Sequence, residues 1–207
     1  MRPYSRVYAT VNLDAVASNM RSMRDNLPAS TLIMGSVKAD GYGHGSVPVA
    51  KTIEPYVFGY AVATIDEGII LRRHGINKTI LILGVTHESQ YEELLRYDIR
   101  TSMFQYEKAK KLSDLALKQG KKAVVHLALD TGMSRIGMKA DREHAKEAAA
   151  IAALEGIEVE GLFTHFARAD ETDKSAYEEQ YRRYKEFLGY LDKLCVQIPI
   201  RHCSNRA

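Results

Sequence analysis

Short apolar runs alternate with amphipathic stretches from end to end of this 207-residue chain, and that alternation restricts it to one broad fold class. Strand-length runs fall at 32–37, 57–63, 79–83, 100–104, 123–129, 159–163 and 198–202, after a leading alternating segment at 7–13. Helix-spaced stretches lie between them, at 15–27, 46–53, 65–74, 88–96, 105–119, 141–154 and 174–195. Pro28 closes the first helix, and Asn12 or Asp14 can cap it. A strand followed each time by one helix predicts an α/β chain with a parallel sheet and right-handed crossovers. An open doubly wound sheet and a barrel both satisfy the pattern. The G-x-G-x-x-G turn of a dinucleotide-binding sheet is missing, since Gly41, Gly43 and Gly45 form G-x-G-x-G instead. About seven β/α units follow the leading segment, against the eight that close a barrel. The expected fold is therefore a (β/α)8 TIM-type barrel over residues 1–207, truncated before its last β/α unit. No repeat, low-complexity tract or linker divides the chain.

In such a barrel the reactive side chains come from the C-terminal ends of strands and the loops after them. Lys38 closes the apolar run 31–37 and opens Lys38-Ala39-Asp40-Gly41-Tyr42-Gly43-His44-Gly45. A lysine on a strand that points into a core loses hydration, which lowers its pKa from about 10.4 and makes the amine a nucleophile toward an aldehyde. The three glycines let the backbone bend and approach a ligand, with Tyr42 and His44 standing between them. The plainer alternative is a snorkelling surface lysine before a flexible turn.

Two further strand ends carry polar groups toward the same mouth. Asp130-Thr131-Gly132-Met133-Ser134-Arg135-Ile136-Gly137 presents Arg135, whose permanent charge suits a phenolate-type oxygen; pairing with Asp130 is the alternative. Thr164-His165-Phe166-Ala167-Arg168-Ala169-Asp170 presents His165, whose ring can stack on an aromatic ligand and bond at its edge. A buried histidine satisfied by backbone is the alternative there. The acidic run after it and Gln180 read as a solvated loop and a helix start. His44, His165, His202 and Asp170 lack H-x-H or H-E-x-x-H spacing, so no metal site is expected.

These segments resemble the alanine racemase family, and the resemblance spans nearly the whole chain. Residues 38–45 are similar to its K-A-x-A/G-Y-G-H-G lysine motif, 130–137 to D-T-G-M-x-R-x-G, 164–170 to T-H-F-A-x-A-D, and 202–207 to H-x-A-N-S-A. The resemblance implies a fold-type III enzyme that uses pyridoxal 5'-phosphate to interconvert L- and D-alanine for peptidoglycan synthesis, working as a homodimer. It implies Lys38 as cofactor attachment point and as proton base on the D-alanine face. It also implies Arg135 at the phenolic oxygen, and Tyr42, His165, Asn205 and Arg206 as further cofactor contacts. Two positions depart from the pattern. Ala128 stands where several members carry a carbamylated lysine, and Arg206 stands where a serine contacts phosphate. A guanidinium there either binds phosphate or crowds the loop.

The family's second base is a tyrosine of the partner subunit's C-terminal β-domain, and an arginine on the last barrel strand meets the pyridine nitrogen. Neither region lies within these residues, and the leading strand, residues 1–13, is expected to pair with that absent domain. The 207 residues alone are therefore expected to be a weak racemase or inactive. A serine racemase on the same scaffold, a non-catalytic pyridoxal-phosphate-binding protein and a cofactor-free interaction module are the alternatives.

Composition narrows the setting. Hydrophobic residues at 45% and charged residues at 27% are those of a globular chain. A dispersed net charge of +3 gives no footprint for nucleic acid. No apolar run approaches the ~20 residues of a membrane span, and the N-terminus lacks the apolar stretch of a signal peptide. Cys195 and Cys203 are too few for a disulfide framework, so a reducing cytoplasm is the expected compartment.

Overall fold

The computed structural model describes residues 7–203. Two compact units make up the chain, Met1–Ile80 and Leu81–Ala207, and the boundary between them falls inside a strand rather than in a linker. Each unit is α/β with parallel strand pairing, as the alternation predicts.

The first unit contains α1 (Leu13–Asp25), β1 (Met34–Ser36), α2 (Ser46–Ile53), β2 (Gly59–Val62), α3 (Ile65–Arg73) and the first half of β3 (Thr79–Ile82). Asn12 opens α1, its side-chain oxygen accepting the Ala15 N–H at 3.0 Å and so satisfying a donor that the helix itself leaves unpaired. β1 and β2 run parallel with Met34 opposite Gly59 and Ser36 opposite Ala61. Gly35 sits close under α2 there, since a Cβ would lie 2.6 Å from Ile53 Cδ1 and would push that side chain aside. Val37, Ala50, Tyr60, Val62 and Leu71 form the core of this unit. The Tyr60 hydroxyl, fully buried, donates to the Ala50 carbonyl at 2.7 Å, which removes the penalty of an unpaired polar end.

The leading segment stands apart from the strands of this unit. Residues 7–12 join no strand, Val7 and Tyr8 are exposed, and helix begins at Leu13. An alternating pattern supplies a two-faced segment, but a strand also needs a partner ladder, and none is present among the described residues. Residues 1–6 of the expected leading strand lie outside the described residues.

The second unit continues through α4 (Tyr91–Arg96), β4 (Arg100–Met103), α5 (Tyr106–Lys118), β5 (Ala123–Asp130), the two-residue β6 (Met138–Lys139), α6 (Arg142–Ala152), β7 (Ile157–Phe163), α7 (Ser175–Lys193) and β8 (Ile200–His202). β5 is the central strand, pairing in parallel with β4 on one side and β7 on the other, and β8 follows β7. Because it is covered on both faces, β5 reads as a nearly continuous buried run. The register slips between Val125 and His126, so that Glu160 of β7 is the extra residue of a bulge. Helix α7 turns Gln180, Tyr184, Phe187, Leu188 and Leu191 inward at helical spacing. Among the described residues no helix is long and apolar enough to cross a membrane.

Candidate active site

Lys38 leads out of β1 into a turn of left-handed helix. Ala39 (φ 51°, ψ 50°), Asp40 (φ 51°, ψ 46°) and Gly41 (φ 63°, ψ 36°) are followed by Tyr42 at φ 56° and Gly43 at φ 82°. Side chains other than glycine resist this region by about 1–2 kcal/mol each, and three of these five residues have such side chains. Strain of this kind persists only where surrounding contacts over-determine it, and here they do. Backbone bonds close the turn, from Gly41 N to Val37 O at 2.9 Å and from Gly45 N to Asp40 O at 2.8 Å. The carboxylate of Glu67 accepts the Ala39 N–H at 2.9 Å with one oxygen and the Ala63 N–H at 2.7 Å with the other. It thereby ties the start of the turn to the exit of β2. Asp40 accepts the Ser46 N–H at 2.7 Å and anchors the turn to the first residue of α2.

Within this frame His44 is a clasp. Its Nδ1 lies 3.0 Å from the Gly41 carbonyl and 3.1 Å from that of Tyr42, both acceptors, which assigns the proton to Nδ1. Lys38 is half-buried, and its Nζ lies 5.8 Å from the centroid of the Tyr42 ring. Among the described residues its ammonium has no hydrogen-bond or ion-pair partner. Tyr42 is itself 60% exposed, with its hydroxyl 3.5 Å from Ser36 Oγ.

In the second unit the exits of β5 and β7 are joined. Asp130 accepts the N–H groups of Gly132 and Ser134, each at 2.9 Å, a side-chain turn that commits its carboxylate to backbone. Arg135 is exposed and, among the described residues, has neither Asp130 nor another partner. The Thr131 and Thr164 hydroxyls meet at 2.8 Å. Gln180 donates to Thr131 Oγ1 at 3.0 Å and to the His165 carbonyl at 3.1 Å, and accepts the Ala167 N–H at 2.9 Å. The His165 side chain is exposed, so the alternative of a buried structural histidine does not hold. Ala128, at the departing position, is buried in β5.

One constellation was not visible in the sequence. His126 Nε2 lies 2.9 Å from a Glu160 carboxylate oxygen, and its Nδ1 lies 2.8 Å from His202 Nε2. With His126 donating to Glu160, its Nδ1 is left to accept from His202. The hydrogen bond from His126, helped by the Arg100 guanidinium, holds the Glu160 carboxyl below its ordinary range. Burial, with His126 alongside, pushes the His202 imidazole down to about 3. Gly161 makes room for this, since a Cβ there would overlap the His126 ring. The bulge at Glu160 and the pairing of β8 bring these residues together across 34 and 76 positions of sequence, a distance that no local spacing encodes. The Thr164 N–H donates to the His202 carbonyl at 3.3 Å, which links the β7 and β8 exits. Asn205 and Arg206 lie outside the described residues.

An amine without a protein partner suits a cofactor that carries an aldehyde, and a guanidinium without one suits a phenolate oxygen. Each of these groups, taken by itself, has the chemistry that such a ligand would need.

Comparison with known proteins identifies the family. Residues 11–207 match the family model for the alanine racemase N-terminal domain. The alanine racemase of Desulforamulus reducens is 41% identical over 202 residues, covering 97% of this chain and 55% of that protein. Among solved structures, the alanine racemase of Clostridium difficile 630 superposes with a TM-score of 0.93 at 40% identity, covering 94% of this chain and 51% of that one. Its complex with cycloserine superposes at 0.89, again at 40% identity, over 94% of this chain and 53% of that one. The chain spans about half the length of the relatives it matches.

Proposed function

The chain belongs to the alanine racemase family through its N-terminal domain, and on that premise we propose that it holds pyridoxal 5'-phosphate at Lys38 and serves the interconversion of L- and D-alanine. The observation that carries this reading is the half-buried Lys38 amine, which among the described residues has no hydrogen-bond or ion-pair partner, at the head of a strained turn that Glu67 and Asp40 hold in place. Pyridoxal phosphate, when bound, supplies an electron sink for the charge left at the α-carbon of the substrate. With the cofactor bound, Lys38 would hold its aldehyde carbon through Nζ and would serve as the proton base on the D-alanine face. Arg135 donates to the phenolic oxygen, and His165 stacks on the ring. Tyr42 flanks the lysine amine, and Asn205 and Arg206 take the phosphate.

The Clostridium difficile relative is a complex with cycloserine, and a small amino-acid ligand is the substrate class proposed here. A homodimer in the cytoplasm that supplies D-alanine for peptidoglycan completes the reading. The relatives are about twice as long, so residues 1–207 assayed alone are expected to racemise alanine weakly or not at all.

The test is a titration of the 207-residue chain with pyridoxal 5'-phosphate, followed by visible absorbance. The wild type is expected to develop the band of lysine-linked pyridoxal, and Lys38→Ala is expected to lack it. A band of equal size in both would remove Lys38 from the site.

A further inference from the structure

We propose that Gln180 is a positioning residue that locks the β5 and β7 exits to one another and so sets the orientation of Arg135 and His165. The claim rests on the reading of those two side chains as cofactor contacts. Gln180 is 5% exposed and occupies the inward face of α7, where its neighbours at helical spacing, Tyr184, Phe187, Leu188 and Leu191, pack as core. A primary amide on such a face is costly unless every polar atom is paired. Here every one is: both N–H groups donate, to Thr131 Oγ1 and the His165 carbonyl, and the oxygen accepts from Ala167 N.

The partners are what give the residue a role beyond packing. Thr131 belongs to the segment that carries Arg135, and His165 and Ala167 belong to the segment after β7. One side chain therefore fixes two loops, and the contact between the Thr131 and Thr164 hydroxyls at 2.8 Å completes the lock. Gly132 is part of the same fit. It sits at φ +146°, and a Cβ there would rest 3.5 Å from Gln180 Cγ. Arg183, three residues after Gln180 on the same helix, donates to the Thr131 carbonyl at 3.2 Å. An apolar residue of the same length at position 180 would fill the space equally well but could hold neither loop.

The experiment uses the 207-residue chain with isotope-labelled histidine and arginine. Gln180→Met keeps the volume and removes all three hydrogen bonds, while Gln180→Glu keeps the acceptor and sets a carboxylate against the His165 carbonyl. Thr131→Val removes only the two hydroxyl contacts and leaves Gln180 bonded to residues 165 and 167. In the cofactor-free state the His165 ring and Arg135 Nε–H signals are expected to shift and broaden in the Gln180 variants, and less so in Thr131→Val. Affinity for pyridoxal 5'-phosphate is expected to weaken about tenfold in Gln180→Met, while the adduct still forms on Lys38 at saturating cofactor.

A purely structural role would lower the melting temperature and leave those signals and that affinity in place. Folded variants with both side-chain signals unchanged and affinity within twofold of wild type would overturn the proposal. If the wild type itself fails to bind the cofactor, the functional reading fails. The signals of the cofactor-free chain would then still decide whether Gln180 orients the two loops.

Discussion

Around Lys38 three residues other than glycine lie at positive φ, and the carboxylates of Glu67 and Asp40 hold them by accepting backbone N–H groups. Around Arg135 and His165 the only non-glycine residue at positive φ is Ser134, and the amide of Gln180 with the hydroxyls of Thr131 and Thr164 does most of the holding. The first region stores strain and restrains it with charge-assisted bonds, which are the stronger kind. The second relies more on neutral bonds, with the Asp130 carboxylate and the Arg183 guanidinium bonded to backbone beside them. The difference follows from what each must present. On the function proposed for them, an amine that attacks an aldehyde has to stand at a fixed point at the end of a short strand, whereas contacts to a flat ring would tolerate some give in the loop.

Removing the carboxylate that restrains the first region should break this contrast most severely. Glu67→Ala leaves the Ala39 and Ala63 N–H groups without their acceptor and is expected to lower stability by about 2 kcal/mol. It should also slow the reaction of Lys38 with pyridoxal 5'-phosphate, measured by stopped-flow absorbance alongside urea unfolding. Glu67→Gln, which retains one acceptor oxygen, should fall between. An unchanged rate in Glu67→Ala would show that the turn does not need its clamp.

Acid should next expose a weak point in the second unit. The folded pKa of His202 is pushed down to about 3, below its ordinary value of 6.5. The stability this group contributes is therefore fully present above pH 6.5 and is lost as pH falls toward 3. Glu160, also lowered, adds to the loss in the same direction as its carboxyl takes up a proton. The melting temperature is expected to fall by a few degrees over that window, with amide exchange rising first at β7 and β8. In His126→Phe, which removes the bonds to both Glu160 and His202, the acid dependence should change its midpoint. Exchange that rises first at β1 would contradict this.

Two smaller effects complete the series. Asp130→Ala removes the acceptor for Gly132 and Ser134 and is expected to cost about 1 kcal/mol. It should disturb the Arg135 signal without changing the rate at Lys38. Ala39→Gly relieves left-handed strain of about 1 kcal/mol but frees the unfolded chain by about 0.4–1 kcal/mol, so stability should hardly move. A large loss would mean that the Ala39 methyl makes a contact of its own.

Much of this molecule is legible in the sequence because its pattern is local. Strand runs at 57–63, 79–83 and 123–129 correspond to β2, β3 and β5 within a few residues, and Asn12 caps α1 as one of the two candidates. The segment at 7–13 shows the limit of that logic, since alternation cannot say whether a partner strand exists. Glycines at 41, 43 and 45 signal a special turn, yet Ala39, Asp40 and Tyr42 share its positive φ, which their own preferences oppose. Only tertiary contacts such as Glu67 stabilise that choice, and they span 28 residues. Gln180, read from sequence as part of a polar helix start, is a buried bridge for the same reason. The partners that define it come from two other strand exits.

The most direct test of Lys38 as the cofactor-bearing residue is borohydride reduction of the chain after incubation with pyridoxal 5'-phosphate, followed by peptide mass mapping. The phosphopyridoxyl group is expected on the peptide that contains Lys38 at about one equivalent, with the exposed lysines of α5 and α7 labelled far less. Labelling spread evenly over the surface lysines, with Lys38 no more reactive than they are, would contradict it.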